Sequence, residues 1–327
     1  MTMQPFEQLE RDFGLWLGNP HCVAVSSGTS ALHLALETFN LLRYQKVIVP
    51  DFTMVACPRA VVMAGLSPTF IDCGNDLLIR PDLVHKAVGD NSSIIAIMAV
   101  HVYGRICDME ALHDVPEGVF VIEDMAEAHG VFPHQDTDAA CWSFYKNKIV
   151  YGEEGGMIAF KQKRHADAAK ELRSLGFDSQ HNFSHRPRGV NARMSNLHAI
   201  PILDSFHNMS ANLYSRARIA DMYNTLLPPE YLMPPRTVNW VHDIRIPGMN
   251  YSQQTNIVTT LNNIGIAARH AFKPMTSQME FIQATNNVNA HRLSQEIIYL
   301  PITEHMTGKT VMVNVGALLA AVNSERK

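Results

Sequence analysis

Three short stretches carry side chains whose types and spacing suit chemistry. The first, Ser26-Ser27-Gly28-Thr29-Ser30, follows the apolar run 22–25 and opens a helical pattern. Glycine lets a ligand approach the backbone closely, and Thr29 and Ser30 can cap the helix while their amides face an anion. An ordinary capped helix would use the same residues, and the stretch is neither a Walker loop nor a G-x-G-x-x-G fingerprint. In the second, 119–130, an apolar run ends in Glu123-Asp124, with Glu127 and His129 close behind. A carboxylate at a strand end can pair with a cationic group on a ligand; capping of a helix by Asp124 is the alternative. The third, "SFYKNKIVYGEEGG" (143–156), holds Lys146 and Lys148 before a glycine-rich turn. By composition the two lysines are interchangeable, and a solvated surface pair accounts for both.

Taken together the three stretches say more. A phosphate cradle, an acid at a strand end and a lysine just after a later strand are the parts of a pyridoxal phosphate (PLP) site. The acid keeps the pyridine nitrogen protonated so that the ring can act as an electron sink, and the lysine forms a Schiff base with the aldehyde.

The elements that must position these residues are legible as alternating patterns. Strands are expected at 22–27, 46–50, 68–73, 94–100, 118–124, 139–144 and 155–160, and helices at 30–42 and 57–65. Such alternation implies an α/β fold with a mostly parallel sheet covered on both sides, which binds ligands beyond the carboxyl ends of its strands. From about 205 the character changes. One long helical stretch over 203–227 leads into a proline-rich break, followed by a strand near 241–247 and helices over 252–264 and 309–325. The expected division is a large domain over 1–205 and a smaller C-terminal α+β domain over 206–327.

The 327 residues are 46% hydrophobic and 18% charged, enough for a sizeable core. A net charge of −4 without a long basic run argues against nucleic acid or an anionic membrane as partner. The short cluster "HRPRGVNAR" (185–193) suits small anions instead. Five scattered cysteines without a CxxC pair read as buried free thiols in a reducing cytoplasm. No stretch reaches membrane-spanning length, the N-terminus does not read as a signal peptide, and no histidine spacing suggests a metal.

Nine stretches in order resemble the DegT/DnrJ/EryC1/StrS sugar aminotransferases, which have the aspartate-aminotransferase (type I) PLP-transferase fold. They are "VAVSSGTSALHLAL", "VIVPDFTMVACPRAVVMAG", "PTFIDC", "VHVYGRICDMEAL", "VIEDMAEAHG", "SFYKNK" with "GEEGG", "GVNARMSNLHA", "NNIGIAARHAFKPM" and "LSQEIIYLPI". The resemblance assigns Gly28, Thr29 and Ser143 to the cofactor phosphate and Asp124 to the pyridine nitrogen. Glu127 takes the place usually held by glutamine or histidine near the ring's phenolic oxygen. Lys148 matches the Schiff-base lysine of the Ser-Phe-aromatic-x-Asn-Lys pattern, leaving Lys146 at the variable position. Asn191 and Arg193 match residues that reach the phosphate of a neighbouring subunit, implying a homodimer with shared sites. Met54 stands where a residue usually stacks on the cofactor ring. His101 in "VHVYG", and Arg269 and Lys273 in "RHAFKPM", are candidate substrate contacts, with structural or surface roles as alternatives.

The resemblance implies that an amino group passes from glutamate or glutamine to a keto sugar carried on a nucleotide diphosphate, for a cell-surface or secondary-metabolite glycan. Alternatives are a sugar dehydratase of the same family, which replaces the lysine by histidine, and a non-catalytic PLP-binding regulator or scaffold. The chain starts almost at the helix that "FEQLERDFGLWLG" resembles, before which family members carry a further segment near the substrate.

Overall fold

The computed structural model describes residues 3–177, 183–283 and 285–326. Its order begins with α1 (Pro5–Leu17), β1 (Cys22–Val25), α2 (Gly28–Thr38), β2 (Lys46–Pro50), α3 (Ala56–Met63), β3 (Ser67–Ile71), α4 (Pro81–Asp90) and β4 (Ile94–Val100). It continues with α5 (Met109–His113), β5 (Phe120–Asp124), β6 (Ala139–Ser143), β7 (Gly156–Phe160), α6 (Lys163–Leu172), α7 (Asn196–His207) and α8 (Met209–Leu226). The C-terminal part holds β8 (His242–Arg245), α9 (Tyr251–Asn263), β9 (Arg269–His270), α10 (Val288–Glu296), β10 (Ile297–Leu300) and α11 (Gly308–Glu325). Every strand expected from the apolar runs is present.

Seven strands form one sheet in the order β1-β7-β6-β5-β4-β2-β3. β7 runs antiparallel to both neighbours and the other pairings are parallel. Strands buried on both faces need no polar alternation, which is why these segments read as continuous apolar runs. The register sets the carboxyl ends side by side. Val25 of β1 lies opposite Gly156, which lies opposite Ser143 at the end of β6. One step along, Asp124 pairs with Cys141 of β6 and Val100 of β4. The three stretches singled out above therefore converge on one edge of one sheet.

A second sheet, β8-β10-β9, is antiparallel throughout. With α8, α9 and α11 it encloses a separate apolar cluster that includes Ile219, Tyr223, Ile257, Leu261, Ile298, Val311 and Leu318. Residues beyond 205 also feed the larger core, among them Val238, Trp240, Met275, Leu293 and Ile297.

Two elements differ from expectation. The helical pattern over 203–227 is two helices, because Asn208 (φ −94°, ψ 5°) both ends α7 and precedes α8. Its side-chain amide donates to the Asp204 carbonyl at 2.9 Å, closing α7, as Asn competes with the backbone ladder for such bonds. Helix α2 stops at Thr38 rather than 42. The Thr38 hydroxyl donates to the Ala35 carbonyl at 2.7 Å, and Asn40 adopts a left-handed φ of 54°.

Candidate active site

The chain leaves β6 at Ser143 and returns to β7 through a tight loop. The Phe144 amide donates to the Gly155 carbonyl, Gly152 to Phe144, and Lys148 to Tyr145, each at 2.8 Å. This folding separates the two lysines. Lys146 is exposed, whereas Lys148 is buried with 8% of its surface accessible. The Lys148 Nζ stands 3.4 Å from Glu127 Oε1 and 3.8 Å from the centroid of the Trp240 ring. A lysine this buried is uncommon without a partner or a task.

Asp124, at the end of β5, is buried as well. Its Oδ1 accepts from the Ala126 amide at 2.9 Å, so its backbone-directed bond starts the following turn. Its Oδ2 accepts from the thiol of Cys57 on α3 at 3.1 Å. Burial, with the Asp124 charge second, pushes the Cys57 thiol well up, so it stays a protonated donor. Glu127 is held from behind, its Oε2 accepting from the Tyr103 amide at 2.7 Å. Burial pushes its carboxyl up to about 7 against the opposing pull of Lys148. His129 is also buried; burial first, and the Lys148 charge second, lower it to about 3.

Gly28 begins α2, capped by Ser27, whose hydroxyl accepts from the Ser30 amide at 3.1 Å. A Cβ at Gly28 would lie 2.7 Å from Ser143 Cβ, so the two loops abut and only glycine lets them do so. Thr29 and Ser143 are half-buried beside it. Met54 is 50% exposed, and its carbonyl accepts from the amide of Cys57, the residue that touches Asp124. Asn191 and Arg193 are exposed, on a segment that bridges to Ser174 and to Val25 at the end of β1.

His101 stands apart from this group. It is fully buried; its Nε2 pairs with Glu123 Oε2 at 2.8 Å and its Nδ1 accepts from the Cys107 amide at 3.1 Å. Glu123 also accepts from the Thr137 hydroxyl and, at 2.7 Å, from the His134 amide. Both ring nitrogens of His101 thus serve the protein itself, which favours the structural alternative over substrate contact. Arg269 is exposed on β9, paired with Tyr299. Lys273 is exposed four residues on, its Nζ 5.9 Å from the Tyr251 ring. Among the described residues no group of three His, Cys, Asp or Glu side chains could hold a metal ion.

Sequence reasoning missed Trp240 and Cys57. Cys57 lies inside an apolar helical run, and Trp240 follows the proline-rich break, far along the chain from the loop it covers. Neither has a spacing that announces it.

The model of the DegT/DnrJ/EryC1/StrS aminotransferase family matches residues 2–318. GDP-perosamine synthase of Caulobacter vibrioides is 31% identical over 288 residues, spanning 82% of this chain and 76% of its own. The dTDP-3-amino-3,4,6-trideoxy-alpha-D-glucose transaminase of Micromonospora megalomicea subsp. nigra is 31% identical over 230 residues, spanning 67% of this chain and 60% of its own. Among solved structures, Helicobacter pylori PseC, an aminotransferase involved in the biosynthesis of pseudoaminic acid, has a similar fold with a TM-score of 0.88. It is 20% identical, covering 98% of this chain and 92% of that one.

Proposed function

The chain belongs to the DegT/DnrJ/EryC1/StrS aminotransferase family, and from that premise we propose that it is a PLP-dependent enzyme moving an amino group from glutamate or glutamine to a nucleotide-linked keto sugar. The observation that carries this reading is the buried amine of Lys148 beside Glu127, one strand away from the buried carboxylate of Asp124.

The residues present fit PLP. A cradle that a glycine Cβ would fill, at the start of an eleven-residue helix, suits a phosphate. A buried carboxylate suits a protonated ring nitrogen, and a buried primary amine suits an aldehyde. Gly28, Thr29 and Ser143 would hold the phosphate, and the exposed Asn191 and Arg193 would serve the phosphate of a second copy in a homodimer. Asp124 would hold the ring nitrogen's proton, Glu127 would lie near the phenolic oxygen, and Met54 would lie against the ring through its polarizable sulfur.

Once bound, PLP supplies an aldehyde that takes up the donor's amine and a cationic ring that draws electrons from the adjacent carbon. Lys148 would take the proton from the donor's Cα as base and give one back to the cofactor as acid. Asp124 would keep the ring nitrogen protonated. With a ketone substrate Lys148 would make the same two proton transfers in the opposite order. Arg269 and Lys273 are exposed cations available to a diphosphate or to the donor's carboxylate. Lys148 argues against the dehydratase alternative, in which histidine replaces it.

All five cysteines are free and buried, in keeping with a reducing cytoplasm. Among the described residues no helix is long and apolar enough to cross a membrane. The test is a half-reaction. The PLP-loaded protein should lose its visible absorbance on addition of glutamate or glutamine and regain it with a nucleotide-linked keto sugar, with an amino sugar detected by mass. A PLP band that no amino donor bleaches would favour a non-catalytic PLP-binding protein.

A further inference from the structure

We propose that the Tyr299 hydroxyl is a substrate contact, donating a hydrogen bond to the diphosphate of a nucleotide-linked sugar beside the charge of Arg269. This rests on the reading of the chain as a PLP enzyme with such a sugar as substrate, and it names a side chain of the small sheet that recognises that substrate.

The sheet decides which way Tyr299 faces. Residues directly opposite one another in an antiparallel pair share a face, and successive residues alternate. Tyr299 of β10 lies opposite Asp243 of β8 on one side and opposite Arg269 of β9 on the other. The next row along holds Ile244, Ile298 and His270. Ile244 and Ile298 enter the small apolar cluster, so the row of Asp243, Tyr299 and Arg269 faces the other way. On that side Asp243 pairs with Arg105, and the Tyr299 ring packs against the larger core. Along the row, exposure rises from the buried Asp243 through the half-buried Tyr299 to the exposed Arg269.

The Tyr299 ring centroid lies 5.7 Å from that of Tyr103 and 6.3 Å from that of Trp240. Both of those residues surround the lysine. The Tyr103 amide donates to Glu127 at 2.7 Å. The Trp240 ring lies 3.8 Å from Lys148 Nζ, and its indole N–H donates to the Asn147 carbonyl at 2.8 Å. Other tyrosine hydroxyls in this part of the chain have protein partners: Tyr103 accepts from the Phe272 amide, and Tyr223 donates to the Pro301 carbonyl, each at 3.2 Å. Among the described residues the Tyr299 hydroxyl has none, and it is not sealed from solvent. A tyrosine packed into a wall ordinarily finds one. Burial first, and the Glu127 charge second, push this phenol up to about 12 against the pull of Arg269, so it stays a donor. A hydroxyl donor next to an exposed guanidinium suits an oxyanion. The amino donor's α-carboxylate is one bond from the carbon that exchanges its amine, and the diphosphate of a keto sugar is several bonds away. Tyr299 is a full ring removed from Lys148, which matches the second.

The test uses the full-length, PLP-loaded protein and compares wild type with Tyr299→Phe, which keeps the ring and removes only the hydroxyl, and with Arg269→Gln. The probes are GDP and dTDP, titrated by calorimetry, and the half-saturating glutamate or glutamine concentration for bleaching of the PLP band. Each variant should bind the tighter of the two nucleotides about tenfold more weakly or worse, the scale of a lost hydrogen bond to a charged group. The loss for the nucleotide should exceed the loss for the amino donor, whereas a merely structural role would weaken both alike. Equal losses, a loss confined to the amino donor, nucleotide affinity unchanged in Tyr299→Phe, or no binding of either nucleotide by wild type overturns the assignment of Tyr299. Wild type that neither glutamate nor glutamine bleaches defeats the functional reading instead, whichever way the nucleotide titrations fall.

Discussion

At the scale of single residues, position rather than type makes the difference between Lys146 and Lys148. The two are equivalent in composition, and the pattern running from Ser143 through Asn147 already pointed to the second. The fold then buries Lys148 and leaves Lys146 in solvent. Lys148→Ala should lower the amino-transfer rate by about 10²–10⁴-fold, the scale of a lost acid–base group, while Lys146→Ala stays within about twofold of wild type in the same assay. Glu127 adds a pH signature. Its carboxyl is raised from 4.5 to about 7 in the folded chain, which therefore holds a proton that the unfolded chain has released. Its contribution to stability is fully present below 4.5 and is lost as pH rises through about 7. Urea unfolding of wild type should thus weaken between pH 5 and 8 relative to Glu127→Gln, which carries no proton to lose; parallel curves would contradict this. Trp240 was not legible because it stands 93 positions from the carbonyl it binds, and only tertiary packing brings them together.

At the scale of elements, the strands were legible and some helix ends were not. Strands buried on both faces produce unbroken apolar runs, and a run ends where the sheet ends. Helix ends depend on single bonds, such as the Asn208 side chain that splits α7 from α8, and no periodicity reveals those. The two-residue strand β9 is too short to leave a pattern, and it owes its existence to β10 alongside it. The register that puts Val25, Gly156 and Ser143 in one row makes the meeting of the first and third stretches a property of the sheet. Gly28→Ala tests this meeting. Its methyl would lie 2.7 Å from Ser143 Cβ, so the start of α2 must shift. Overpacking of about 1–3 kcal/mol should weaken PLP binding by about tenfold or more while leaving phosphate-free pyridoxal nearly unaffected, as measured by equilibrium titration. Equal losses for both ligands would mean that the phosphate sits elsewhere.

At the scale of the molecule, the C-terminal third places Trp240 against the Lys148 amine and also has a core of its own. We propose the division into 1–205 and 206–327 as two domains joined by an ionic pivot. Asp243 forms ion pairs with Arg105 at 3.0 Å and with Arg236 at 2.9 Å, and Arg105 Nη2 donates to its Oδ1 at 3.2 Å; Arg105 and Asp243 are buried and Arg236 is half-buried. Burial raises the Asp243 carboxyl, yet Arg105 and Arg236 together hold it below its usual range. Asp243→Ala strands both cations and should cost about 3–5 kcal/mol in urea unfolding. A homodimer with shared sites predicts a complementation. Lys148→Ala and Arg193→Ala proteins, refolded together, should recover activity that neither has alone, because mixed dimers carry one intact site; no recovery would contradict sharing. The sequence alone could not show this pivot, since its three members are scattered over 138 positions.

We propose above all that Lys148 is the covalent anchor of PLP. Borohydride reduction of the PLP-loaded protein, followed by digestion and peptide mass mapping, tests it most directly. One modified peptide is expected, with the pyridoxyl group on Lys148, and none from Lys148→Ala. A pyridoxyl group on Lys146 or any other lysine, or label that persists in Lys148→Ala, would contradict it.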